Sequence, residues 1–134
     1  MTCHLTRTLL VFSGMLGLAI GLAILLMPHA FLATSGVSLG SDASLLSEIR
    51  APGGFLIMTS LMMIAGAARQ TLMRPGLFLA ALVYGSFGLS RLVGLAFDGR
   101  PSDSLLLATL IELIVGAAAI LALIRQPQTG GTSR

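Results

Sequence analysis

Four long apolar runs, separated by short polar stretches, organise this chain. They extend from Leu9 to Met27, from Ala51 to Ala68, from Gly76 to Phe97 and from Leu105 to Ile124. Each approaches the ~20 residues that carry an α-helix across the hydrocarbon core of a bilayer. None shows the alternation of apolar and polar positions that marks a transmembrane β-barrel strand. The pattern predicts an all-α membrane protein, a four-transmembrane-helix bundle, with helices over about 8–27, 45–68, 76–97 and 104–124. One membrane domain then covers residues 1–125. Residues 126–134, polar and rich in Gly, are expected to form a disordered cytoplasmic tail.

Helix breakers and caps agree with these limits. Pro28 stops the first run and Pro127 the fourth. Pro75 suits the first turn of the third helix, where a missing N–H costs nothing. Asp42 or Ser44 can cap the second helix, which starts near Leu45, and Ser102 or Asp103 the fourth. Asp98-Gly99-Arg100-Pro101 reads as a tight turn between the last two helices. The first run has a basic start, but its apolar core exceeds the ~7–15 residues of a secretory signal and no clean cleavage site follows. It is expected to remain as a helix.

Composition changes the picture in two ways. With 55% hydrophobic and 10% charged residues, the chain has too little charge to cover a soluble domain. The eight basic residues are all Arg, as in GC-rich bacterial genomes, and sit singly near the ends of apolar runs. That arrangement excludes a nucleic-acid surface and reads as a topology signal. Arg7, Arg69, Arg74, Arg125 and Arg134 fall at the N-terminus, the second loop and the C-terminus, while the opposite loops hold only Arg100. An N-in/C-in, multi-pass protein of the bacterial inner (cytoplasmic) membrane follows from the positive-inside rule. The lone cysteine, Cys3, permits no internal disulfide.

Candidate chemistry lies in the charges that interrupt the runs. An ionised side chain at the centre of a spanning helix costs at least ~2.5–3.5 kcal/mol, so each needs a partner or water. At 1.5 Å per residue, Arg91 lies about 9 Å below the outer end of the third helix and Glu112 about 10 Å below that of the fourth. Glu48 and Arg50 open the second helix from the same side. These four are expected to form one polar cluster in the outer half of the bundle, either a ligand site or a structural clamp. Gly53, Gly54, Gly88, Gly94 and Gly116 lie on the same helix faces and are expected to line the pocket, with Asp98 at its rim. Ser13, Gly17 and Gly21 give the first helix a small face for packing. His4 and His29 fall on opposite sides of the membrane, and the Met58, Met62 and Met63 group reads as packing. No metal set, phosphate loop or nucleophile triad is present in the sequence.

The pattern Glu48-x-Arg50-x-x-Gly53-Gly54, then Ala67-Ala68-Arg69, then Arg91-x-x-Gly94-Leu95 and Asp98-Gly99-x-Pro101 resembles a set of uncharacterised small bacterial four-span membrane proteins. These are similar to the broader DoxX-like group, and the resemblance covers residues 9–124. It implies a four-helix membrane bundle. Some members of the wider group are linked to quinone-coupled sulfur oxidation or thiol stress, so a quinone is the one cofactor the resemblance brings in. Its carbonyls would find donors in the Glu48, Arg50, Arg91 and Glu112 group. A redox cysteine pair is missing here. Small multidrug exporters, by contrast, place a carboxylate in the first helix, which has none in this chain.

Three functions remain. The first is a non-catalytic accessory or ligand-binding protein built around the cluster, acting with the lipid bilayer and a partner membrane protein or as a homodimer. The second is a quinone-linked oxidoreductase subunit, whose electrons would need a partner protein. The third is a small proton-coupled transporter with Glu112 as the titrating group. Two arginines at similar depth are expected to keep Glu112 ionised, which disfavours the third.

Overall fold

The computed structural model describes residues 3–126, and the expected tail at 126–134 lies outside them apart from Gln126, the C-cap of the last helix. Five helices follow one another: α1 (Cys3–Leu26), α2 (Pro28–Ala33), α3 (Ala43–Ala68), α4 (Gln70–Phe97) and α5 (Asp103–Arg125). All but α2 are long and apolar enough to cross a membrane. There is no strand among the described residues. The four expected spans therefore appear as helices, with shifted limits.

Local chemistry explains the limits. Asp42 caps α3, its Oδ1 accepting from the Leu45 N–H at 2.7 Å. Ser102 is the cap residue of α5 but makes no side-chain bond to the helix start. Pro28 ends α1 and, with its φ already helical, begins the short helix α2, which the hydrophobic pattern alone did not separate. At Gly99, φ is +92°, the left-handed geometry that a tight turn between α4 and α5 requires and glycine adopts readily.

Two helix starts correct the sequence reading. Helix α1 begins at Cys3, ahead of the expected start near residue 8. Pro75 is not in the first turn of its helix, because α4 begins at Gln70 and contains Pro75. Only Arg69, extended at φ −121° and ψ 123°, separates α3 from α4. The polar stretch 69–75 looked like a loop, but Met73 within it is 1% exposed and belongs to the core. Packing of that side chain in the core accompanies the loss of the one helical hydrogen bond that Pro75 cannot make.

Helix α1 packs along α3, α3 along α4 and α4 along α5, whereas α1 touches α4 and α5 only sparsely. Glycines set the closest approaches. A Cβ on Gly21 would stand 2.8 Å from the Gly53 carbonyl oxygen, and one on Gly116 would stand 2.9 Å from the Gly85 nitrogen. Backbones so close favour van der Waals packing, which is what holds helices together where lipid removes the hydrophobic drive. Leu10, Met63, Met73, Leu77 and Ala119 fill the middle. Both described chain ends and the α3–α4 junction lie at one end of the bundle, the terminal end. The 27–42 connection and the α4–α5 turn form the other, the loop end.

Candidate functional site

Towards the loop end, α4 and α5 each bring one charge to the same place. Arg91 Nε donates to Glu112 Oε2 at 2.9 Å. The two side chains are 33% and 13% exposed, respectively, so the contact is partly shielded. This is one of two ion pairs among the described residues. The other joins Arg100 to Asp103 in the α4–α5 connection and is open to solvent.

The structure does not bring Glu48 and Arg50 to this pair. Both are exposed on α3, and neither forms an ion pair with a described residue. The reason is the register of α3 on α1. Gly53 packs against Gly21 and Ile24 near the end of α1. Arg50 sits about 4.5 Å and Glu48 about 7.5 Å nearer the loop end than Gly53, at the level where α1 stops. The four-residue cluster expected from the sequence is thus a two-residue pair, with two separate charges above it.

Beside the pair lies a cavity of about 460 Å³. Its walls come from α1 (Gly17, Ile20, Ile24), α4 (Val83, Tyr84, Phe87, Arg91) and α5 (Ser104, Leu105, Ala108, Glu112). Leu56 is the contribution of α3. The roof is α2 and the segment after it, through Phe31, Leu32, Thr34 and Val37. Ser104 Oγ donates to the Thr34 carbonyl oxygen at 3.3 Å, tying that roof to α5. At the floor, the buried Tyr84 hydroxyl donates to the Ser13 carbonyl of α1. The volume falls in the ~300–1,000 Å³ range of small-molecule sites, and an apolar lining with a few convergent polar groups is their usual character.

The small residues singled out in the sequence divide between packing and lining. Gly53 packs α3 on α1, Gly88 packs against Leu113, and Gly116 against Gly85. Gly54 faces open space, with nothing within 4 Å of an added Cβ. Gly94 does line a recess, a second one of about 200 Å³ on the α4–α5 side of Arg91, which Asp98 also borders. Arg91 therefore stands between two cavities.

Most of the cavity lining escaped the sequence reading, Gly17 and Tyr84 among it. Gly17 was assigned to packing alone, yet it lines the cavity while a Cβ there would also collide with the buried Ser60 hydroxyl. Tyr84 was not singled out. A usable signal existed: Tyr84, Phe87 and Arg91 are spaced three and seven apart, one face of a helix. The roof had no signal of its own, since Phe31 to Val37 read as loop.

The family described as Domain of unknown function (DUF4345) matches residues 5–123. The chain belongs to the DUF4345 family. No curated protein and no solved structure matches it. The matched span of this DUF4345 protein runs from α1 to near the end of α5, so it contains the Arg91–Glu112 pair and every wall of the cavity.

Proposed function

We propose that this DUF4345 protein is a non-catalytic ligand-binding protein of the bacterial inner membrane, N-in/C-in, which holds a small amphipathic molecule in the cavity beside Arg91 and Glu112. One observation carries the reading: a partly shielded ion pair forms part of the wall of a mostly apolar cavity of ligand size. Arg91 spends its Nε on Glu112. Its remaining guanidinium N–H groups form no hydrogen bond with a described residue and are available to a polar head. The arginine asymmetry supports the orientation, placing the loop end outside.

The test separates binding from clamping. Arg91→Ala is expected to insert and fold while retaining about tenfold less of a co-purified ligand, a loss of about 1.4 kcal/mol, read by mass spectrometry of the purified protein. The swap Arg91→Glu with Glu112→Arg serves as the control. If each single change unfolds the protein and the double change restores the fold, while neither it nor the unaltered protein carries a co-purified ligand, the pair is only a clamp and the binding reading falls.

A quinone-linked subunit of DoxX-like kind is the second reading. Arg91 borders the cavity with guanidinium N–H groups that bond no described residue, which favours it, because such groups donate to a quinone carbonyl. Purified protein without bound quinone and without a redox partner would remove it.

A further inference from the structure

The cavity has two sides on which a ligand could arrive, and they differ in chemistry. Towards the loop end, α2 and residues 34–37 lie across it, held by the bond from Ser104 to the Thr34 carbonyl. Towards the lipid, it meets the seam where α1 and α5 barely touch. Nearer the terminal end the same two helices border a separate concavity of about 370 Å³ with no polar surface, lined by Leu5, Thr8, Leu9 and Phe12 of α1 and Ala118 of α5. Met15 and Leu22 of α1 and Leu107 and Leu110 of α5 are exposed, as on a lipid-facing surface. A hydrocarbon tail lying in this seam keeps the apolar surroundings it has in the bilayer.

The charge of the cavity constrains the head. Among the described residues, Arg91 and Glu112 are its ionisable groups apart from Tyr84, and together they sum to zero. An anionic head drawn to Arg91 meets the Glu112 carboxylate next to it, and a cationic head drawn to Glu112 meets the guanidinium. In a site of low dielectric, such like-charge contacts are only weakly screened. The pair instead offers one donor face, the guanidinium N–H groups outside the Nε contact, beside one acceptor, Glu112 Oε1. A hydroxyl, which accepts and donates through one oxygen, satisfies both.

We propose that the α1–α5 seam is the doorway by which an uncharged, single-tailed lipid with a hydroxyl head passes from the bilayer to the Arg91–Glu112 pair. This deepens the ligand-binding reading and rests on it.

The experiment uses the full-length protein in lipid nanodiscs and three probes with one tail: oleyl alcohol, oleate and oleylamine. Ethanol supplies the head without the tail. Binding is read as a thermal shift for all four probes and, for the tailed ones, also as the amount retained on the re-purified protein by mass spectrometry. Oleyl alcohol is expected to bind about tenfold more tightly than oleate or oleylamine, and ethanol to leave the protein unchanged. Ala108→Trp, or the milder Ala108→Leu if the first fails to fold, fills the cavity and is expected to abolish the difference. Oleate or oleylamine binding as tightly as the alcohol overturns the neutral-head inference but leaves the cavity a ligand site. Ethanol producing the same shift as the alcohol overturns the doorway. Absence of binding by every probe, together with no co-purified molecule, removes the ligand-binding reading and this proposal with it.

Discussion

Gly116 and Gly54 look alike in the sequence, each set near a charge in an apolar run, yet they face different surroundings. A Cβ on Gly116 would press on the Gly85 backbone at 2.9 Å, and backbone cannot turn aside as a side chain can. Gly116→Ala is expected to lower stability by about 1–3 kcal/mol through overpacking of the α4–α5 contact. Gly54 meets nothing, so Gly54→Ala is expected to be neutral or to stabilise by up to about 1 kcal/mol, since alanine loses less backbone entropy in a helix. Unfolding in mixed detergent reads both. The same contrast explains why the candidate site was only half legible. A charge in an apolar run announces itself, which brought out Arg91 and Glu112. Whether a glycine packs or lines a cavity depends on what lies across from it.

Among the elements, caps show how far local chemistry reaches. Asp42 and Ser102 are both plausible cap residues by type, but only Asp42 places an oxygen on its helix start. Ser102 instead turns its hydroxyl to Ser104 Oγ at 3.0 Å. Asp42→Ala is expected to destabilise α3 by about 1 kcal/mol, and Ser102→Ala to change α5 little, within about 0.5 kcal/mol. Guided by hydrogen exchange at Leu45 and at Leu105, the two effects can be read separately. The helix limits were otherwise legible wherever a breaker stood alone, as at Pro28. They failed where tertiary burial overrode local polarity. Met73 drew residues 70–75 into α4 because its side chain completes the core against neighbouring helices, which no window of sequence contains.

For the whole molecule, orientation is the property most open to a direct check. Cys3 is exposed and is the only cysteine. An N-in/C-in protein leaves it unreactive to a membrane-impermeant maleimide in intact cells and reactive after permeabilisation. In a Cys3→Ser background, Ser38→Cys in the 27–42 connection is expected to label in intact cells. The reverse pattern would invert the topology. By itself the sequence determined that there are four apolar spans and that they are helical, and it set the expectation for the sides of their loops. Those properties follow from run length and from where the arginines stand, both of which are local along the chain. Only the tertiary structure decided which charges meet. Gly53 docks on Gly21 and lifts Glu48 and Arg50 to the level where α1 ends, while Gly85 docks on Gly116 and lets Arg91 reach Glu112. Register between helices is set by side chains distant in sequence that must interlock, and the absence of close packing between α1 and α5, which opens the cavity, is a property of the assembled bundle alone.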